Sequence, residues 1–106
     1  MRETLDRLEQ TIRARRGADP AASYVAKLSA KGRAKIAQKV GEEAVEAVIA
    51  AMADDRAGAI GESADLIFHL LLLLADMDIP FATVLDELDR REGVSGIAEK
   101  AARPRD

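Results

Sequence analysis

Three glutamates, Glu42, Glu43 and Glu46, lie within five residues of a segment that otherwise consists almost entirely of Ala, Val and Ile. On an α-helix these three side chains fall within an arc of about 100 degrees and therefore project from one side. Glutamates on a helix most often form a solvated face, and Lys39 with Glu43 is an ordinary pair at a spacing of four residues. One turn further along, the same side carries apolar residues, so the glutamates do not belong to a continuous solvated stripe. This favours a functional role for their charge.

A second apolar segment repeats the arrangement, with Glu62, Asp65, His69 and Asp76 within an arc of about 60 degrees on a helix. If the two helices pack antiparallel, as a short connection favours, the two acidic clusters could face each other. Carboxylates gathered in an apolar setting repel one another and resist ionisation unless a cation compensates them. An all-oxygen ligand set of this kind indicates Mg²⁺, with Mn²⁺ as the alternative.

Other metal chemistry is excluded by composition. The chain has no cysteine, which rules out thiolate sites, and one histidine, which rules out a His-rich zinc site. A ferritin-like di-iron site needs a Glu-x-x-His motif on each of two helices, and the single histidine cannot supply both. We expect His69 to be a satisfied core or interface residue, bonded to Asp65, rather than a catalytic base.

Positive charge precedes the first acidic cluster. Residues 1–39 carry ten basic and four acidic side chains, whereas residues 40–106 carry six basic and fifteen acidic ones. Nucleic acid is a poor candidate for the basic region, because Tyr24 is its only aromatic residue. A basic run beside carboxylates better suits a ligand that combines phosphate and metal. The predicted phosphate-binding residues are Lys27, Arg33, Lys35 and Lys39.

The elements that position these residues are helices. Hydrophobic spacing, with Gly and Pro as breakers, predicts helices over residues 2–16, 21–31 and 33–53, one ending near 77, and one from 80 to 91. The third is expected to bury a stripe made of Ile36, Val40, Ala47, Val48 and Ala51. We predict an all-α, antiparallel helical bundle in a single domain, residues 1–106, with a loop-like C-terminal tail over 92–106.

The run Leu70 to Leu74 is apolar on every side of its helix, more than a chain of 106 residues can readily cover. We therefore predict a homodimer that buries these leucines. The charged N-terminus lacks the apolar centre of a signal peptide, and the longest apolar run, ten residues from Leu66 to Ala75, is short for a membrane span. A cytoplasmic protein without membrane contact is expected.

The pattern Glu42-Glu43-x-x-Glu46, fifteen residues, then Glu62-x-x-Asp65 resembles the signature of the all-α nucleoside triphosphate pyrophosphohydrolases, which include the MazG-like enzymes. The longer stretches SYVAKLSAKGRAKIAQKVGEEAVEAVIAA, ESADLIFHLLLLL and VLDELDRREGVSGIAEKAAR resemble one branch, the phosphoribosyl-ATP pyrophosphatases. The resemblance implies a dimeric helical enzyme that uses Mg²⁺ to hydrolyse phosphoribosyl-ATP to phosphoribosyl-AMP and pyrophosphate, the second step of histidine biosynthesis.

Carried over by position, the resemblance implies that the metal ligands are Glu43, Glu46, Glu62 and Asp65. Glu42 is the remaining acidic member of the motif, and either Glu42 or Glu46 is the expected catalytic residue that orients the attacking water. Two alternatives stay open: a housekeeping nucleotide pyrophosphohydrolase with the same metal site, and a non-catalytic helical dimerisation module.

Overall fold

The computed structural model describes residues 2–92 and 103, and all regular structure within them is helical. The absence of strands in this described part confirms the predicted all-α class. The helices are α1 (Arg2–Arg15), α2 (Tyr24–Lys31), α3 (Arg33–Met52), α4 (Arg56–Asp76) and α5 (Phe81–Arg91). Of the predicted tail over 92–106, nearly all lies outside the described residues.

The start of α2 differs from the prediction by three residues. Asp19 Oδ1 accepts a hydrogen bond from the backbone N–H of Ala21 at 2.9 Å, which holds this segment in a turn. The helix then begins at Tyr24, because the Ser23 side chain caps it by accepting the N–H of Ala26 at 3.2 Å. Local side-chain bonding thus competes successfully with the helical tendency of the preceding alanines.

Two short connections arrange the central helices. Gly32 has a φ of 98°, a conformation that favours glycine, and it ends α2 and starts α3 without an intervening loop. Between α3 and α4 the turn is only three residues long, and Asp55 caps α4 by accepting the N–H of Gly58 at 2.9 Å. With so short a turn, α3 and α4 pack against each other as an antiparallel hairpin.

The hydrophobic core lies where α1 and α2 cover the C-terminal half of α4 and the start of α3. Its buried members are Ile12, Val25, Leu28, Ile36, Leu71, Leu72 and Ala75. At the same end, Phe81 packs against this core, and Glu9 on α1 accepts the backbone N–H of Phe81 at 2.7 Å and so attaches the first turn of α5. The core is therefore concentrated at one end of the α3–α4 hairpin.

The buried stripe of α3 agrees only in part with the prediction: Ile36 is buried and Val40 and Ala47 are half-buried, as expected. Val48 is 61 % exposed and Ala51 is also exposed, whereas Glu43 and Ala50 are buried. The inward positions follow the spacing 36, 40, 43, 47, 50, which faces α4 and turns the outer valines to solvent. The same rotation places a glutamate inside the hairpin.

The leucine run is also buried differently than expected. Leu71 and Leu72 are fully buried within a single chain, and Leu70, Leu73 and Leu74 are half-buried. A second subunit is therefore not needed to cover the centre of this run, because α1 and α2 already do so. By length and composition α4 could cross a membrane, but in this fold it is the central helix, with carboxylates and a buried histidine along it.

Candidate metal and phosphate site

The α3–α4 hairpin brings together carboxylates from both helices. Glu43 of α3 and Glu62 and Asp65 of α4 each offer an oxygen, and these three oxygens all lie within 4.8 Å of one another. Glu62 and Asp65 are three residues apart on α4 and therefore share a face. Glu43, only 8 % exposed, meets them from the inward stripe of α3. The structure thus gathers three of the four predicted metal ligands.

The electrostatics of the cluster show how closely these groups interact. Hydrogen bonding with Glu43 and with Glu46, followed by burial, raises the pKa of Glu62 to about 7. The hydrogen bond from Glu62 holds the pKa of Glu43 below its usual range, against the opposing effect of burial. The opposite shifts indicate that the two carboxyl groups compete for one proton, which Glu62 retains at pH values below about 7. Glu46, the fourth predicted ligand, adjoins this pair.

One carboxylate oxygen of the cluster lacks a partner. Glu62 Oε2 is buried and has no hydrogen-bond donor near it. A buried acceptor normally finds a donor or a cation, because leaving it unsatisfied costs about 1–3 kcal/mol. Three convergent carboxylates with such an oxygen fit a hard divalent cation, the kind that takes oxygen ligands. The donor set present on α3 and α4 is therefore suited to a metal ion.

Lys39 stands over the α3 side of the cluster. Its ammonium lies 3.5 Å from Glu42 Oε1 and 3.7 Å from Glu43 Oε1. Burial acts to lower the pKa of Lys39, but Tyr24, Glu42 and Glu43 outweigh it and raise the pKa overall. The lysine therefore keeps its positive charge beside the acidic cluster.

Glu42 is exposed and does not belong to the three gathered carboxylates. A hydrogen bond from Gln38 Nε2 at 2.9 Å is the main cause that lowers the pKa of Glu42, and Lys39 adds to it. Glu42 and Glu46, the two predicted catalytic residues, both line an open groove of about 640 Å³ along α3. The other residues lining this groove are Gln38, Gly41, Val45 and Ile49.

The other three predicted phosphate-binding residues differ in exposure and in their partners. Lys35 is half-buried one turn before Lys39 and lowers the pKa of Glu42 through its charge. Lys27 is exposed on α2. The Arg33 guanidinium instead binds Asp76, with Nε at 2.7 Å from Oδ2. Asp76, grouped with the α4 acids on sequence, is thus engaged by arginine and separate from the gathered carboxylates.

A tyrosine and the histidine complete the surroundings. Tyr24 Oη lies 2.8 Å from His69 Nε2, and His69 Nδ1 lies 2.7 Å from the backbone oxygen of Asp65. The expected bond between His69 and Asp65 is confirmed, through the carbonyl. Sequence reasoning missed Gln38 and Tyr24 as parts of the site. Gln38 is four residues before Glu42 and helical spacing could have found it, whereas nothing in the spacing relates Tyr24 to α4.

Comparisons with known proteins identify the family of this chain. A family model described as phosphoribosyl-ATP pyrophosphohydrolase matches residues 5–92. The chain is 70 % identical over 105 residues to a phosphoribosyl-ATP pyrophosphatase of Rhizorhabdus wittichii, covering 99 % of each chain. It is 69 % identical over 101 residues to the enzyme of that name from Novosphingobium aromaticivorans, covering 95 % of this chain and 94 % of the relative.

A more distant relative, a phosphoribosyl-ATP pyrophosphatase of Dinoroseobacter shibae, is 60 % identical over 99 residues, which cover 93 % of this chain and 97 % of that one. The matched residues include all of α2, α3 and α4, and hence every carboxylate of the cluster. The chain therefore belongs to the phosphoribosyl-ATP pyrophosphohydrolase family.

Proposed function

We propose that this chain hydrolyses phosphoribosyl-ATP to phosphoribosyl-AMP and pyrophosphate, the second step of histidine biosynthesis. The observation that carries the proposal is the carboxylate cluster of Glu43, Glu62 and Asp65 with its unpartnered buried oxygen, in a chain of this family. A triphosphate needs its negative charge neutralised before water can approach it. A metal-binding cluster beside a lysine is suited to that task.

The residues that would hold Mg²⁺ are Glu43, Glu62 and Asp65, with Glu46 beside them. When bound, Mg²⁺ supplies charge neutralisation for the triphosphate and lowers the pKa of a coordinated water. Glu46 or Glu42 orients the water that attacks the α–β phosphoanhydride, and pyrophosphate leaves. The chain's own part is chiefly positioning and electrostatics, because phosphoryl transfer asks for little covalent chemistry from the protein.

Lys39 is the best placed of the predicted phosphate-binding residues. Its ammonium is within 4 Å of two carboxylates, so it adjoins both the proposed metal site and the α3 groove. Lys35 and Lys27 add positive charge on the same part of the chain. Arg33 would have to give up Asp76 to contact a phosphate, which makes it the weakest member of the predicted set.

We further propose a homodimer formed through the outer face of the hairpin. Large apolar side chains on α3 and α4 are exposed in the single chain: Val45, Val48, Ile49, Met52, Ile60 and Ile67. An exposed apolar surface of this extent is typical of an interface. Val45 and Ile49 also line the groove that holds Glu42 and Glu46, so a second copy of the chain seated there would border the active site.

Two alternatives share parts of this description. A housekeeping hydrolase of other nucleotides would use the same carboxylates, and a non-catalytic dimerisation module would use only the apolar face. The family match and the names of the relatives favour phosphoribosyl-ATP. The gathered, mutually repelling carboxylates, with Glu43 buried among them, disfavour the module, because they cost stability without serving dimerisation. For a biosynthetic enzyme of this kind we expect a cytoplasmic location.

Pyrophosphate release by the purified protein, with and without Mg²⁺, tests the proposal. The substrates are phosphoribosyl-ATP, ATP and a panel of deoxynucleoside triphosphates. Release that requires Mg²⁺ and strongly prefers phosphoribosyl-ATP is the expected result. Preference for the deoxynucleotides would assign the housekeeping activity instead, and no release from any substrate would favour the non-catalytic module.

A further inference from the structure

A chain of two hydrogen bonds connects α2 to the acidic part of α4. Because a carbonyl oxygen can only accept, His69 Nδ1 must carry a proton and donate it to Asp65 O, at 2.7 Å. In the neutral ring Nε2 is then an acceptor, and the Tyr24 hydroxyl at 2.8 Å donates to it. With a neutral ring, donation therefore runs from Tyr24 to His69 and from His69 to the backbone of Asp65.

The surroundings hold the histidine ring in one orientation. His69 is 5 % exposed. The rings of Phe68 and Tyr24 pack edge-to-face against it, with centroids at 5.2 and 5.8 Å. A buried imidazole needs partners for both nitrogens, and Tyr24 is the partner of one of them. Loss of the tyrosine hydroxyl would leave Nε2 without that donor and loosen the bond to Asp65.

Tyr24 is also near the carboxylates themselves. Burial raises the pKa of Tyr24, Lys39 lowers it, and the charges of Glu43 and Asp65 raise it. Tyr24 as a residue is 49 % exposed, so it forms part of the accessible rim of the site and is not simply a core residue. It is the first residue of α2, fixed in place by the Ser23 cap.

We propose that Tyr24 is a positioning residue of the metal site, which acts through His69 to fix the turn of α4 that carries Glu62 and Asp65. The proposal rests on the proposed function. Hydrogen-bonded groups just outside a ligand set orient the ligands, and their loss typically lowers metal affinity or activity about 10-fold to 100-fold. Here the oriented group is the helix segment that bears two of the three gathered carboxylates.

Tyr24→Phe removes the hydroxyl and keeps the ring, so it isolates the hydrogen bond. We expect the Mn²⁺ dissociation constant, measured by calorimetric titration without substrate, to rise about tenfold. We expect kcat to fall by a similar factor. At saturating Mg²⁺, KM for phosphoribosyl-ATP should change by less than about twofold relative to the wild type. His69→Asn places an amide donor near the Nδ1 position for Asp65 but has no atom at the Nε2 position to accept from Tyr24, and adding it to Tyr24→Phe should cause little further loss in metal affinity.

Glu9→Ala is the control, because it removes a structural hydrogen bond between α1 and Phe81, and α1 carries none of the candidate ligands. It should lower Tm without changing the Mn²⁺ dissociation constant. The proposal is overturned if Tyr24→Phe lowers Tm but binds Mn²⁺ as the wild type does, or if Glu9→Ala weakens Mn²⁺ binding equally. Failure of the wild type to hydrolyse phosphoribosyl-ATP would count against the proposed function alone, since the substrate-free titration still decides the role of Tyr24.

Discussion

Glu43 on α3 and Glu62 on α4 meet across the hairpin as a carboxylate pair whose pKa values move in opposite directions. Glu62, with its pKa raised to about 7, holds the proton of the pair at pH values below that. We therefore expect the contact between Glu43 and Glu62 to influence the stability of the protein, its metal affinity and the pH dependence of both. A bound divalent cation would replace the proton as the compensating charge.

Stability of the metal-free protein should fall as pH rises from about 4.5 to 7. The pKa of Glu62 is raised from its ordinary 4.5 to about 7, so within this window the unfolded state loses the proton that the folded state retains. The free energy of unfolding decreases with rising pH wherever the unfolded state binds fewer protons than the folded state. Denaturant titrations in EDTA at several pH values measure this slope, and Glu62→Gln should flatten it.

Glu87→Gln is the control for this pH dependence. Hydrogen bonds from Arg90 and Arg91 lower the pKa of Glu87 to about 2, so its contribution to stability is lost only below pH 4.5. This variant should lower stability across the neutral range and leave the slope between pH 5 and 7 unchanged. A wild-type protein equally stable at pH 5 and 7.5 in EDTA would contradict the shared proton.

Metal binding should release a proton and tighten with pH. The cation competes with the proton on Glu62, whose pKa of about 7 makes the site mostly protonated at pH 6 and mostly ionised at pH 8. We expect Mg²⁺ affinity to rise between these values. Calorimetry in two buffers of different ionisation enthalpy counts the released protons. Affinity that is independent of pH would show that Glu62 is not a ligand.

Replacing predicted ligands should abolish turnover and spare the fold. Asp65→Asn and Glu46→Gln each remove one negative charge from the cluster, and we expect pyrophosphate release to fall more than about 100-fold. Circular dichroism should show unchanged helix content, because neither side chain is buried in the core. Asp86→Asn, an exposed position on α5, is the matched control. Retained activity in either ligand variant would remove that residue from the site.

Lys39 and Arg33 should behave differently when replaced. Lys39→Ala removes a charge beside the carboxylates, and we expect KM for phosphoribosyl-ATP to rise roughly tenfold, with the exposed Lys31→Ala as control. Arg33→Gln breaks the bonds to Asp76 and should lower Tm with little change in KM. A large KM increase in Arg33→Gln would show that Arg33 exchanges Asp76 for a phosphate.

The helices and their order were largely predictable from sequence, because apolar spacing and the Gly and Pro breakers act locally. The gathering of Glu43 with Glu62 and Asp65 was also anticipated, since a short turn makes α3 and α4 antiparallel. The rotation of α3 was not, because the two stripes share three positions and their centres differ by only roughly 50 degrees, with Val48 at the edge of one and Glu43 in the other. Hydrophobicity alone selects the valine.

Contacts between distant segments were the least predictable part of the site. Tyr24 meets His69 across 45 residues of sequence, and Arg33 meets Asp76 across 43. Both pairings depend on how α2 and the start of α3 pack on α4, which no periodicity specifies. Arg33 and Lys39 belong to the same basic run in the sequence. In the structure, however, Arg33 binds Asp76, whereas Lys39 lies beside Glu42 and Glu43.

Disruption of the outer face of the hairpin should separate the proposed dimer without unfolding the chain. Val48 is 61 % exposed, so Val48→Asp leaves the core intact but places a charge where a second copy would pack. We expect a dimer for the wild type and a monomer for this variant by sedimentation. Leu88→Asp on α5, at a similarly exposed position, should remain dimeric; a monomer from Leu88→Asp alone would move the interface to α5. Loss of activity in monomeric Val48→Asp would further indicate that the groove holding Glu42 and Glu46 needs the second copy beside it.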